Sequence, residues 1–221
     1  MVCDTPELWG ILIPFGTSNV TVQNGVVRGG LSSCVDDVNI AGNSNQLTSL
    51  RLVDASNQGV TVGGDSNTLL SVTANFNDND GLIVFGDDNL IRLGSFAANG
   101  DDGASFFLGT GNSITRSRSF LNNGRGILVG ASNTVVTQNQ SFFNATGISF
   151  SDGSTGSIAV LNQTYRNDVG IWIKSTSTTD IVTINGSYAN FVWDMEDDNA
   201  NCDSNVWFNN LFSTANQSCI S

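Results

Sequence analysis

Asn45 precedes Gly59 by 14 residues, and the same offset separates Asn67 from Gly81, Asn89 from Gly103, Asn112 from Gly126 and Asn133 from Gly147. Gly156 stands in for the asparagine before Gly170. Successive anchors lie 21 to 23 residues apart, so each unit has one rigid arc and one elastic loop. A unit this short cannot bury its apolar face alone. It must stack on its neighbours, which makes the chain a solenoid.

Each glycine opens an alternating segment, and a period of two means strand rather than helix. Val60 and Val62, Leu82 and Val84, Ala104 and Phe106, Ile127 and Val129, Ile148 and Phe150, and Ile171 and Ile173 fall on one side of these segments. They predict two inward ladders. Two residues after each anchor comes a further apolar column, Leu47, Leu69, Ile91, Ile114, Val135 and Ile158, which predicts a second wall. Such a unit has room for three short strands and three turns, with rungs stacked at about 4.8 Å. The expected fold is therefore all-β, a single-domain parallel β-helix over 1–221, with an irregular first rung and cap at 1–37, regular rungs at 38–190 and a closing rung and cap at 191–221. The anchor column Asn45 to Asn133 is expected to stack, its amides bonding to one another and to turn backbone. Plain turn chemistry, which asparagine favours, is the alternative for that column.

This pattern, from Gly10 to Phe212, resembles the right-handed parallel β-helix superfamily: pectate-lyase-like enzymes, phage tailspikes, and β-helical repeat proteins of the carbohydrate-binding and sugar-hydrolase type. The resemblance implies a right-handed solenoid with rungs of about 22 residues and a link to polysaccharides. It does not choose among the many sites that such folds carry.

Composition narrows the chemistry. The net charge is −12, Lys174 is the single lysine, and histidine is absent. Nucleic acid is excluded as a partner on that balance, since phosphate binding draws on clustered Lys and Arg. Without histidine there is no Ser-His-Asp mechanism and no imidazole ligand for a metal. No apolar run reaches membrane-spanning length.

Cys3 and Cys34 flank the irregular start, and Cys202 and Cys219 flank the end. The two ends of a solenoid do not meet, so Cys3–Cys34 and Cys202–Cys219 are the expected pairs, and two local staples point to an extracellular or periplasmic setting, including a cell surface. Four free thiols in a reducing compartment are the alternative. Met1, Val2 and Cys3 open the sequence with neither a basic region nor an apolar core, so a mature or trimmed start is expected. Six Asn-x-Ser/Thr sequons occur, at Asn19, Asn139, Asn144, Asn162, Asn185 and Asn216. A chain this rich in Asn, Ser and Thr yields about that many by chance, so they permit glycosylation without indicating it.

Two regions concentrate chemistry. Asp80 and Asp102 each precede a rung-opening glycine, with Asp78 and Asp101 beside them, Asn77 and Asn99 nearby, and Arg125 in the same column one rung on. Stacked carboxylates repel, which favours exposure, a raised pKa or a bound cation, and calcium suits an oxygen-rich set of this kind. In pectate-lyase-like enzymes, Asp residues hold calcium and a nearby Arg or Lys abstracts a sugar proton; Arg125 is similar to that base in chemistry, although no motif of those enzymes matches residue by residue. Solvated turn carboxylates with an ordinary Asp102–Arg125 pair are the competing reading. The second region is an outward stripe, Ile83, Phe85, Ser105, Phe107, Leu128, Trp172 and Lys174. Phe85, Phe107 and Trp172 there offer faces for sugar rings, with Lys174 beside them, or a contact between subunits of a homo-oligomer. Arg116 and Arg118, two apart, are expected to share a strand face. The chain thus reads as a secreted carbohydrate-binding or carbohydrate-processing protein, or else as a non-catalytic adhesive or structural β-helix.

Overall fold

The structure, a computed structural model, describes residues 9–29, 36–151 and 153–221. All its regular elements are β-strands apart from a 3-10 turn at Ala200–Cys202. The first wall is one sheet of nine parallel strands: Ile11–Ile13, Val38–Ile40, Val60–Val62, Leu82–Val84, Ala104–Phe106, Arg125–Val129, Thr146–Phe150, Val169–Ile173 and Trp193–Asp197. The second wall stacks Thr68–Leu70, Leu90–Arg92, Ser113–Thr115, Val135–Thr137, Ile158–Val160, Ile181–Thr183 and Val206–Phe208. The third stacks Thr73–Asn75, Ser95–Ala97, Arg118–Phe120, Gln140–Phe142, Gln163–Tyr165 and Gly186–Tyr188. Thr21–Arg28 and Gln46–Val53 are longer and run through the second and third walls without a break. The expected parallel solenoid is what the chain forms.

The paired aliphatic and aromatic positions of the first wall all point inward and are at most 1% exposed. Each contributes about 1.5–3 kcal/mol of burial. The second-wall column is correct as far as Ile114 and then slips by one residue. Register pairs Ile114 with Val136 and Val136 with Ala159, so Val135 and Ile158 face outward. The reason lies at the preceding turn. Ser44, Ser66, Asp88, Gly111, Asn133, Gly156 and Thr179 share one column, and all have φ between +50° and +71°. Asn and Gly suit that left-handed position as well as Asn suits an anchor. Asn133 and Gly156 therefore belong to the turn column; the buried anchors of those rungs are Thr134 and Ser157. Their offset to the glycine is 13 rather than 14.

Three asparagine ladders occur, one at each corner. Asn45, Asn67 and Asn89 each pass a backbone N–H to the Oδ1 of the next asparagine at 2.8 Å, the run ending at Asn112. Asn77, Asn99, Asn122, Asn144, Asn167 and Asn190 do so with both the backbone N–H and the side-chain Nδ2. Asn139, Asn162, Asn185 and Asn210 repeat that double bond at the third corner. These amides satisfy turn backbone that packing would otherwise leave buried and unpaired. The last two ladders contain Asn139, Asn144, Asn162 and Asn185, which accounts for four of the six sequons.

Cys202 and Cys219 form the expected disulfide, with Cα atoms 6.0 Å apart. Cys3 and Cys34 lie outside the described residues, as do residues 1–8 and 30–35 of the expected N-terminal cap. Trp207 is buried at the closing rung, its Nε1 donating to Asp197 Oδ2 at 2.8 Å.

Candidate functional site

Both chemical regions border the first wall. Its strands start at the corner that holds the aspartates and end at the corner that holds Phe85 and Phe107, about 16 Å apart at 3.3 Å per residue.

At the starting corner, backbone register stacks Asp80, Asp102 and Arg125. The Asp102 amide donates to Asp80 Oδ1 at 2.9 Å. Arg125 gives Asp102 Oδ1 its own amide at 2.6 Å and its Nε at 2.9 Å, while Ser105 Oγ donates to Oδ2 at 3.0 Å. Carboxylate oxygens of Asp80, Asp101 and Asp102 lie within 4.8 Å of one another. Asp80 is 6% exposed and Asp102 2%, whereas Asp101 is open to solvent. Burial pushes Asp80 up to about 7; its bond from the Asp102 amide pulls the other way, the Asp102 and Asp101 charges add to the rise, and Arg125 opposes it. Asp101 is also raised, by partial burial first and by the Asp102 charge second.

Three residues from the sequence reading stand apart from this cluster. Asp78 lines a shallow groove with Phe76, Ala98, Gly100, Leu121 and Asn123, on the outer side of the corner. Asn77 and Asn99 spend their side chains inside a ladder, Asn99 Oδ1 accepting both N–H groups of Asn77, so neither supplies a ligand oxygen to the cluster. Three carboxylates, one of them engaged by a guanidinium, fit a cation with an incomplete protein shell, the rest of its sphere falling to water or substrate oxygens. Arg125 is engaged as a donor to Asp102, its Nε lying 2.9 Å from Oδ1.

At the ending corner, one column runs Phe85, Phe107, Gly130, Ser151, Lys174 and Asp198, each N–H bonding to the rung before it. Phe85 and Phe107 meet edge to face with centroids 5.9 Å apart. Lys174 Nζ sits 4.6 Å from the centre of the Trp172 ring, whose Nε1 donates to Asp198 Oδ2 at 3.0 Å. Between Phe107 and Lys174 lie only Gly130 and Ser151. Within this gap of three rungs, about 14 Å, lies a shallow trough lined by Phe107, Leu108, Gly130, Ala131, Ser151 and Gly153.

The outward stripe is less open than its alternation suggests. Ser105, Leu128 and Ser149 are 2%, 5% and 0% exposed. Register interleaves them with larger neighbours, in the order Ile83, Ser105, Leu128, Ser149, Trp172, so small side chains sink between big ones. Exposed binding surface is thus confined to the two ends of the stripe. A further aromatic ladder lies on the third wall, where Phe120, Phe142, Tyr165 and Tyr188 stack at 5.0, 4.9 and 5.5 Å. Its signal in the sequence is the recurrence of an aromatic at the repeat period, four or five residues before the first-wall strand of each rung.

The family model described as the right-handed β-helix region matches residues 36–187. The chain belongs to the right-handed β-helix family. Among solved structures, this β-helix is similar to pectate lyase Pel9A, with a TM-score of 0.59 and 15% identity over 100% of this chain and 69% of that one. It is also similar to the A-module of the Azotobacter vinelandii mannuronan C-5 epimerase AlgE4, with a TM-score of 0.61 and 14% identity over 91% of this β-helix and 71% of the module. No curated protein sequence matches it.

Proposed function

We propose that this β-helix is an exported polysaccharide-binding protein that holds a glycan against its first wall. The observation that carries the reading is the trough beside Phe107, floored by Gly130 and Ser151, with the Trp172–Lys174 pair on the next rung beyond it. Small residues lower the floor, and aromatic side chains at both ends supply the contacts that sugar rings favour. Phe85 extends the aromatic end by one rung. The names of the two structural relatives, a pectate lyase and a mannuronan C-5 epimerase, support a polysaccharide as ligand. The Cys202–Cys219 disulfide supports an oxidising, extracellular or periplasmic location.

Calcium is the cofactor this reading accommodates, held by Asp80, Asp101 and one oxygen of Asp102. When bound, it would offset three clustered negative charges and let an acidic sugar approach a chain of net charge −12. A calcium-free catalytic version of the reading places proton transfer on Asp80 rather than Arg125, because burial raises the Asp80 carboxyl to about 7, which is matched to neutral pH.

The test is retention on immobilised polygalacturonate, alginate and neutral glycans, with and without calcium. Phe107→Ala and Trp172→Ala are expected to lose retention while keeping the β-rich far-ultraviolet spectrum. Full retention by the double variant overturns the trough as the binding site. Turnover that survives Arg125→Ala but not Asp80→Asn supports the catalytic version; the reverse pattern restores Arg125 as the base.

A further inference from the structure

Charge is distributed unevenly around this triangular solenoid. Among the described residues, no Asp or Glu occurs in any strand of the second wall, from Thr68–Leu70 to Val206–Phe208. Over three successive rungs its two edges are of opposite sign. At the corner before it stand Asp65, Asp87 and Asp88, the first two linked by the Asp87 amide donating to Asp65 Oδ1 at 2.9 Å. At the corner after it stand Arg92, Arg116 and Arg118, all exposed. Arg116 is left-handed, φ 51°, so it sits at the turn and does not share a strand face with Arg118 as the two-residue spacing suggests. Register pairs Thr115 with Arg92, which brings the three guanidiniums onto adjacent rungs. Arg116 Nε donates to Gln138 at 2.9 Å and Arg118 Nε to Gln140 at 3.0 Å, so both groups are steadied with their terminal nitrogens outward. The ion pairs among the described residues are Arg28–Asp54 and Arg125–Asp102; these three arginines belong to neither.

Between the edges the face is largely apolar. Leu90, Val206 and Phe208 are 38%, 45% and 42% exposed, and Val135, Ile158, Val160 and Ile181 are half-buried on the same outward side. Along the basic edge, Leu93, Leu161 and Ile184 add further exposed apolar surface. Seven strands at about 4.8 Å make a flat face roughly 30 Å long. A patch of this extent on a soluble chain marks an interface.

We propose that the occupant is a second copy of this chain, docked second wall to second wall as a parallel dimer. A twofold axis parallel to the solenoid keeps each rung at the level of its counterpart and exchanges left for right. Asp87 and Asp88 of one copy then lie opposite Arg92 of the other, twice, with Asp65 and Arg116 one rung to either side, and the apolar strips meet in the middle. An isologous interface requires this self-complementarity. Identical rung pitch lets every level engage at once, which a partner of different repeat cannot match. The carboxylate-free face also removes the repulsion that two copies of net charge −12 meet elsewhere. The first-wall trough borders the acidic edge through Ser132, which continues the column of Asp65, Asp87 and Thr110; the dimer is argued from the second wall and does not depend on the glycan reading.

The experiment is sedimentation velocity of the intact chain across concentration, at low and high salt. A dimer weakened by salt is expected. Arg92→Glu with Arg116→Glu should give monomer, as should Asp87→Arg with Asp88→Arg, and the four changes in one chain should restore the dimer. Ile158→Asp, at an outward position, should give a folded monomer by circular dichroism. A chain that stays monomeric at high concentration and low salt overturns the proposal. So does a dimer that ignores both edges and Ile158→Asp, or one that Phe85→Asp alone dissociates.

Discussion

Asp102 Oδ1 accepts two hydrogen bonds from Arg125, one from the backbone amide at 2.6 Å and one from Nε at 2.9 Å. This single atom ties two rungs together. It also fixes a positive charge beside three carboxylates that would otherwise repel one another.

Arg125→Ala should therefore cost about 1–3 kcal/mol, because it leaves the buried Asp102 charge without its partner. The same change removes a competitor for cations. Thermal melts with and without calcium are expected to show a lower baseline and a larger calcium-induced rise than in the parent chain. An unchanged or smaller rise means that the aspartate cluster is not where calcium acts.

Stability should fall as pH rises through the range from about 4 to 7. Asp37 and Asp80 are raised to about 7 and Asp180 to about 6, each mainly by burial, from the ordinary 3.8 of an aspartate. The folded state keeps protons that the unfolded chain has released, so their stabilising effect is complete below the unfolded value and lost through the folded one. Urea melts at pH 5 and pH 8 measure the difference. Asp80→Asn, which keeps an acceptor for the Asp102 amide, should narrow it. A larger difference in that variant contradicts burial as the cause.

The one-residue slip in the second wall has a direct test. Val136 is fully buried and Val135 half-exposed. Val136→Asp should abolish cooperative unfolding, since a buried unpaired carboxylate costs several kcal/mol. Val135→Asp should fold with a change of about 1 kcal/mol or less. The opposite ranking would restore Asn133 as the anchor.

Asn122 accepts both N–H groups of Asn99 and donates to Phe96 O, Ser119 Oγ and Asn144 Oδ1. Its replacement by Ala should cost about 2–4 kcal/mol through the several buried groups left unpaired. Asn133→Ala, at an exposed left-handed turn position, should cost about 1 kcal/mol. Equal midpoints in denaturant melts would remove the ladder from the account of stability.

Of the six sequons, Asn19 alone is free to carry a glycan on the folded chain. It is exposed, whereas Asn139, Asn144, Asn162 and Asn185 are buried in ladders and Asn216 bonds to the backbone of Asp197 through both ends of its amide. Peptide mapping of soluble protein secreted from a glycosylating host should find occupancy at Asn19. Occupancy of Asn162 in folded material is incompatible with the ladder.

The repeat by itself determined the solenoid, its rung length and the two inward ladders of the first wall. Alternation and glycine placement are local rules, and every rung obeys them separately. The stacking of Asp80, Asp102 and Arg125 was legible for the same reason, since equivalent positions in successive rungs must lie one above another. What the tertiary structure decided is which residue of an Asn-Thr or Gly-Ser pair turns inward. At Asn133 and Gly156 both roles suit the residue, and only register with the rungs above and below selects Thr134 and Ser157. Exposure was likewise settled by neighbours: Ser105 and Ser149 alternate outward yet sink beneath Leu128 and Trp172. The opposite charges along the second wall emerge in the same way. Asp87 and Arg116 are far apart along the chain, and only coiling sets them on the two edges of one flat face.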